Sequence, residues 1–560
     1  MTRASDFPPP FDAGEFVAEP TDPVDERIEV GVLIVGAGPA GLACALRLGQ
    51  LLREHPDVAE RLGDVPVALL EKGKQPGSHL LSGAVVNPRA LRKLGYRMED
   101  LPSYGEVHGE AVYVLTKRNA LRIPPPPTMR NHGNWVFSLS RLGRRLADDA
   151  EERGATILSE TTAEKLLVQH GRVVGVRTGD KGRGRDGEPL GNYEPGADIV
   201  AKVTVLAEGT QGHLTGVALD LFGLRGGEPQ VWELGVKEVW RVPRPLQGVV
   251  HTMGWPLRTA ARYREFGGSF IYPMGEDMLT IGMVVGLDYR DVELSVHDVL
   301  QELKTHPKIR KMLAGGERVA WGAKTIPSGG WNSLPTRLHA PGLLLCGDGA
   351  GLVNIARLKG VHYAIESGRL AAESAFASLQ RGATPATALA EYDDAVRGGF
   401  IGRDLYEVRD MRQVFGRGFF LGGALASAMT VSKGRVALGK MRAEPDAEQP
   451  LLRSRRADRY PGPDGTLTFD KLSSVFLSGN KTRDDQPNHI RLERRVPREV
   501  ADLWINMCPA QVYELGTEGG DGTVTVQLAP SNCVQCGAIT AKGGRLTPPE
   551  GGSGPEYTQT

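Results

Sequence analysis

Cysteine is scarce, with five in 560 residues. Cys44 and Cys346 stand alone, while Cys508, Cys533 and Cys536 gather near the C-terminal end. An odd, clustered set favours metal or redox use over disulfide scaffolding. No run reaches the roughly 18 apolar residues of a membrane-spanning helix. No basic region followed by an apolar stretch opens the chain, which starts instead on Asp6, Pro8, Pro9, Pro10 and Asp12, so no secretory signal is expected. Net charge is absent too: 67 Lys and Arg face 67 Asp and Glu. That excludes the basic excess of a nucleic-acid binder. Repeats of fixed period are missing, and the 72 glycines follow no three-residue period, which excludes collagen. Hydrophobic residues make up 40%, enough for sizeable cores, so global disorder is excluded. The length suggests two to four structural units at roughly 150 residues each.

Residues 1–27 read as an acidic, Pro-rich tail, loosely attached. Ile28 to Val35 is a short apolar run of the kind that forms a buried parallel strand. Gly36, Gly38, Pro39, Ala40 and Gly41 follow, then a helical pattern through Leu42, Leu46 and Leu52. Val65 to Leu70 is a second strand, ending at Glu71 and Lys72. From about 105 to 330 short alternating strands and Gly-rich turns dominate, with no long amphipathic helix expected before about 295, which suggests an inserted antiparallel sheet. Another buried strand, Gly342 to Cys346, runs into Gly347 and Asp348, and a helix is expected from His362 to Leu379.

Gly36, Gly38 and Gly41 have the G-x-G-x-x-G spacing between a strand and a helix. The first allows the tight turn, the second lets the backbone approach a pyrophosphate, and the third lets the helix pack on the strand. The helix N-terminus adds free N–H groups and a positive dipole end. Glu71 is placed to accept ribose hydroxyls. Gly182, Gly184 and Gly187 share the spacing but lack the preceding apolar strand, and read as a hairpin loop. Val203 to Leu206 is a further strand, running into Ala207, Glu208 and Gly209.

A single nucleotide fold with a late strand ending in Gly347-Asp348 resembles FAD-binding flavoproteins of the glutathione reductase and hydroxylase type. The resemblance implies that the aspartate holds the ribityl chain and that the next helix points at the isoalloxazine. Without it, Asp348 reads as a helix N-cap.

Further stretches resemble the electron transfer flavoprotein–ubiquinone oxidoreductase family. They include Ser82-Gly83-Ala84, Asn131-His132-Gly133-Asn134, His251-Thr252-Met253-Gly254-Trp255-Pro256, Gly267-Gly268-Ser269-Phe270, Asp485-Gln486-Pro487, Cys508-Pro509-Ala510 and Asn532-Cys533-Val534-Gln535-Cys536. The resemblance implies an α/β fold with α+β elements: a glutathione-reductase-like FAD-binding fold, an inserted antiparallel quinone domain and a C-terminal ferredoxin-like module. The expected boundaries are 28–105, 140–225 and 330–400 for the FAD domain, 106–139 and 226–329 for the quinone domain, 401–444 for a helical apolar membrane-contact segment, and 445–560 for the iron–sulfur module. The FAD contacts would come from Gly36, Gly38, Pro39, Ala40, Gly41, Glu71, Lys72, Glu208, Gly209, Gly347 and Asp348. Gly267 and Gly268 would offer backbone groups to a quinone carbonyl, the alternative being a β-bulge or a close sheet contact. The reaction implied is electron transfer from reduced electron transfer flavoprotein to ubiquinone or menaquinone.

Cys508, Cys533 and Cys536 match the family's ligands for a 4Fe–4S cluster, and Ile539 stands at the fourth position. Cubanes are normally held by four thiolates, so three outcomes stand open: a three-iron cluster, a four-iron cluster with another ligand, or none. A zinc site with His489 is possible by count alone.

Quinone is lipid-soluble, so a membrane contact is expected. His79 to Val86 and Phe415 to Val431 are candidates. The second is too short to span and is flanked by Arg409, Arg412, Lys433, Arg435, Lys440 and Arg442. That pattern fits monotopic attachment, expected on the cytoplasmic face of the inner membrane. Its alternative is a buried core helix. Two rivals remain: a soluble FAD-dependent hydroxylase or prenyl reductase using NAD(P)H, and a degenerate docking protein without activity.

Overall fold

Ile28–Val35, Val67–Leu70, Asp198–Leu206 and Leu343–Leu345 lie side by side and parallel. Apart from the exposed start of the first, they are largely buried, as strands covered on both faces must be. Val35 lies beside Leu70 and Leu206, and Leu206 beside Leu345. The four strands therefore end on one line. Gly36, Glu71, Ala207 and Cys346 open along a single edge, the carboxyl edge where open α/β sheets bind ligands. The helix Pro39–Glu54 packs on this sheet and against the long helix Val361–Gln380. Their approach is close, since a Cβ at Gly368 would lie 1.9 Å from the Ala40 carbonyl oxygen. The computed structural model describes residues 2–21, 27–81, 85–381, 386–435 and 441–560, with the backbone alone for 386–388. Ser82, Gly83, Ala84 and Lys440 thus lie outside the described residues.

The opening segment is not loose where it is described. Val17–Ala18 pairs with Leu166 and Leu167 at the edge of the first sheet, and Ala4 and Phe16 are buried. Charge and proline content hid the two apolar anchors. A second departure is the helix Leu139–Glu152, in a stretch where no long amphipathic helix was expected. Its Leu139, Leu142, Leu146 and Ala150 form one buried stripe at helical spacing. Gly184 and Gly187 lie in the turn of the hairpin Lys181–Arg183 and Pro189–Glu194, while Gly182 lies within its first strand.

The second sheet has seven strands in the order Glu317–Pro327, Trp232–Arg241, Met278–Gly286, Gly267–Pro273, Val249–Gly254, Glu110–Leu115 and Ala120–Ile123. One pairing departs from the antiparallel expectation: Val249–Gly254 runs parallel to Glu110–Leu115. The two strands come from distant parts of the chain, so no hairpin dictates their direction. Behind this sheet, Glu238 accepts from Lys304 Nζ at 2.8 Å and is joined by Arg318 at 3.4 Å, all three side chains being buried. The C-terminal region adds a small sheet, Arg495–Pro497, Thr523–Leu528 and Tyr513–Glu518, and the helix Arg498–Met507. Trp504 is fully buried there and donates to the Lys542 carbonyl at 2.8 Å.

Candidate functional site

One cavity of about 1070 Å³ runs from the Gly36–Gly41 turn, along Lys324 and Gly267, to the helix Phe419–Val431. Its volume suits a large cofactor plus a second ligand. The glycines at its inner end have separate physical reasons. Gly36 sits at φ +105°, and a Cβ there would lie 2.5 Å from the Ala207 carbonyl oxygen. A Cβ at Gly41 would lie 2.0 Å from the Gly36 carbonyl oxygen. Packing alone demands both. At Gly38 a Cβ would meet only the Leu80 side chain, at 3.8 Å. The room above Gly38 is open to the cavity, at the N-terminus of Pro39–Glu54. That fits a diphosphate lying against the helix end.

Glu71 is buried, and burial pushes its carboxyl up. One oxygen accepts from the Gly73 N–H at 2.6 Å and the other from the Ala37 N–H at 3.3 Å. It holds the turn and still lines the cavity. Lys72 reaches across to Gln535 Oε1 at 2.6 Å. Glu208 is engaged as a helix cap, accepting from the Leu214 and Thr215 N–H groups at 3.1 and 2.6 Å, while Gly209 lines the cavity beside it. Asp348 lies inside the short helix Gly347–Ala350, in its first turn and two residues past the Cys346 cap, so the N-cap alternative does not hold. Burial raises it to about 6, with Lys324 pulling the other way. Gly347 and Asp348 line the cavity with Gly360 and Val361, where the second long helix begins.

Gly267 and Gly268 also line the cavity. A Cβ on Gly267, at φ +152°, would lie 2.0 Å from the Val284 carbonyl oxygen, and one on Gly268 2.5 Å from the Thr252 carbonyl oxygen. Close strand contact therefore explains both glycines by itself. Sequence reasoning missed their polar neighbours. His251, across from Phe270, is buried, and burial lowers it to about 3. Its Nδ1 has no hydrogen-bond partner. Lys324 is lowered to about 8 by burial, with Lys72 adding to that. His489 lines the inner end, buried, with both ring nitrogens unpartnered. Period-two alternation on Glu317–Pro327 was the available signal for Lys324. Of the histidines, His489 was read only as a possible zinc ligand and His251 only as part of a family stretch.

The outer end is apolar. Helix Phe419–Val431 leaves Phe420, Leu421 and Val431 exposed at 76%, 55% and 79%, so it is not the buried core helix of the alternative reading. Lys433, Arg435 and Arg442 are exposed. Arg412, expected in the basic flank, is buried against Asp288. Its helix turns it inward, and an unpaired carboxylate at Asp288 would be costly. No helix among the described residues is long and apolar enough to cross a membrane.

The three clustered cysteines adjoin the inner end. Thr325 donates to the Cys536 carbonyl through its N–H and its hydroxyl, each at 2.8 Å, and Lys324 Nζ donates to the Gln535 carbonyl at 3.1 Å. Cys508 Sγ accepts from the Ala510 and Val512 N–H groups at 3.4 and 3.5 Å, and Cys533 Sγ from the Gln535 N–H at 3.4 Å. Burial pushes the thiols up, Cys536 to about 12, and Cys533 and Cys536 also feel the charge of a neighbouring cysteine. N–H donors aimed at sulfur suit thiolates on a cluster, and only bound metal would keep such buried thiols ionised. Among the described residues no group of three or more His, Cys, Asp or Glu is gathered to hold a single metal ion.

A family model described as "ETF-QO, ubiquinone-binding" matches residues 232–326. A second, "Electron transfer flavoprotein-ubiquinone oxidoreductase, 4Fe-4S", matches 465–558. The chain is 37% identical to the mitochondrial electron transfer flavoprotein-ubiquinone oxidoreductase of Arabidopsis thaliana, over 96% of this chain and 86% of that protein. It is 36% identical to the Pseudomonas aeruginosa protein of the same name, over 95% and 99%. In fold it is similar to a geranylgeranyl bacteriochlorophyll reductase-like protein from Thermoplasma acidophilum, with TM-score 0.56, 17% identity, and coverage of 74% of this chain and 94% of that one.

Proposed function

The chain belongs to the electron transfer flavoprotein–ubiquinone oxidoreductase family, and from that premise we propose how its residues serve the reaction. It is an oxidoreductase that takes electrons from reduced electron transfer flavoprotein and delivers them to quinone, yielding quinol. FAD and an iron–sulfur cluster supply the one- and two-electron chemistry when bound. The chain's own side chains bind, orient and exclude water.

The single observation that carries the reading is the unbroken cavity between the dinucleotide turn and the exposed apolar helix. The Gly36–Gly41 turn, with Pro39 and Ala40 starting the helix, receives the diphosphate. Glu71 accepts from the adenosine ribose, and Gly347 and Asp348 receive the ribityl chain. Lys72, Glu208 and Gly209 frame that end. The backbone at Gly267 and Gly268 meets a quinone carbonyl, and His251 supplies a neutral ring nitrogen beside it. Phe420, Leu421 and Val431 enter the lipid surface while Lys433, Arg435 and Arg442 meet anionic headgroups. The membrane face proposed for this attachment is the cytoplasmic one.

Both family models argue against the hydroxylase and docking alternatives, since neither needs a ubiquinone-binding sheet joined to a cluster domain. The test is quinone reduction by the purified, FAD-loaded full chain with reduced electron transfer flavoprotein as donor. Turnover is expected. Rapid flavin reduction by NAD(P)H with none from the flavoprotein donor would overturn the reading.

A further inference from the structure

We infer that the iron–sulfur cluster of this chain is held by three protein thiolates and rests as a 3Fe–4S cluster. The inference deepens the function proposed above and rests on it. Residues 465–558, matched by the 4Fe-4S family model, contain Cys508, Cys533 and Cys536 and no fourth cysteine. The two remaining cysteines are not spare ligands. Cys44 lies inside the helix Pro39–Glu54 and Cys346 ends the strand Leu343–Leu345; both are buried in the first sheet's core, and Cys346 accepts from the Tyr392 hydroxyl at 3.3 Å.

Among the described residues, those near the fourth corner offer no substitute. Ile539, three residues after Cys536, is 3% exposed and packed in the same apolar cluster as Cys508 and Cys533. A Cβ on Gly544 would lie only 2.6 Å from its Cγ1, so the side chain is held on its far side by backbone. The carboxylates that follow are committed elsewhere. Glu550 accepts from the Gly182 N–H at 3.0 Å and from Arg483 at 2.7 Å, and Glu556 faces Lys74 at 3.5 Å. His489 opens toward the cofactor cavity. Three irons can each take one thiolate together with bridging sulfides. A fourth iron would rest on sulfides alone, without the protein thiolate that normally completes each corner, and is the one lost.

The test is low-temperature EPR with iron and sulfide analysis on the anaerobically purified, FAD-containing enzyme. The expected result is a paramagnetic oxidised state with about three irons and about four sulfides per chain. Ferrous iron plus a reductant should convert it, 3Fe–4S(1+) taking up one Fe(II) and one electron to become EPR-silent 4Fe–4S(2+). In Ile539→Cys the oxidised-state signal should vanish and iron should rise to about four per chain. Flavin absorbance and melting temperature of the variant, compared with the parent, report that it folds. An oxidised parent enzyme that is EPR-silent with about four irons retained against a chelator would overturn the inference. So would anaerobically prepared protein without acid-labile sulfide. Quinone reduction is scored separately: a three-iron signal without turnover refutes the function and leaves the cluster assignment standing.

Discussion

Gly38 and Gly41 sit three residues apart in one motif, yet the structure assigns them different duties, and two alanine variants separate these. In Gly38→Ala the new methyl meets only Leu80, at 3.8 Å, and the backbone at φ −85° is open to any residue. The fold should lose at most about 1 kcal/mol, the cost of replacing an N-cap glycine by alanine. The methyl points into space a diphosphate needs, so FAD affinity should fall about tenfold to a hundredfold, about 1.4 to 2.8 kcal/mol. In Gly41→Ala the methyl lands 2.0 Å from the Gly36 carbonyl oxygen. Overpacking of this kind costs about 1–3 kcal/mol or more, and it strikes the apoprotein as hard as the holoprotein. The assay is thermal melting of flavin-free protein beside calorimetric titration with FAD. Melting should be near parental for Gly38→Ala and lowered by several degrees for Gly41→Ala. A Gly38→Ala protein that binds FAD like the parent but melts low would refute the division of labour.

Removing one partner from the buried trio, as in Lys304→Met, should cost up to about 3–5 kcal/mol, because the buried Glu238 charge is left with only Arg318, at 3.4 Å, as a cation partner; urea unfolding at neutral pH reads this. Lys304 and Arg318 hold the Glu238 carboxyl below its ordinary value against burial. Its stabilising contribution is therefore present above the unfolded carboxyl range, near pH 4.3, and is lost as pH falls through the lower folded value. The parent should lose stability on acidification below about pH 4.5, and Lys304→Met should lose less of it. Replacing Phe420, Leu421 and Val431 by serine should abolish sedimentation with anionic vesicles, each large apolar side chain being worth about 1.5–3 kcal/mol on burial, while reduction of a water-soluble quinone persists. His251→Phe should leave FAD content unchanged and lower quinone turnover, measured with saturating donor; unchanged turnover would remove His251 from the quinone end.

The parts of the site that were legible in the sequence are those where local chemistry and backbone coincide. The strand–glycine turn–helix at Ile28 to Glu54 is one such place, because each glycine answers to a contact within a few residues or to the strand next door. Glu71 and Asp348 were legible as strand-end carboxylates, but the alignment of four strand ends at Val35, Leu70, Leu206 and Leu345 was not, since two of its three parallel pairings join residues over a hundred positions apart. Arg412 shows the same limit from the other side. Read along the chain it belongs to a basic flank; in space it neutralises Asp288. The tail failed for a similar reason: two buried side chains, Ala4 and Phe16, outweigh an acidic, proline-rich composition once a sheet edge and a core are there to receive them.

The join between the cysteines and the cavity follows from that same long-range geometry. The strand Glu317–Pro327 forms the edge of the second sheet, and near its end Lys324 and Thr325 are bonded to the backbone of Gln535 and Cys536, while Lys72, just past Glu71, bonds the Gln535 side chain. Two sheets and the C-terminal module thus converge on one dipeptide. Lys324 and Lys72 are half-buried cations set where an electron-rich cluster and a flavin would both lie, and desolvation alone would make them costly. Their retention makes sense if negative charge resides on either side of them in the working enzyme. Removing one, as in Lys324→Met, should then shift the flavin and cluster potentials downward together, a result that a purely structural lysine would not produce.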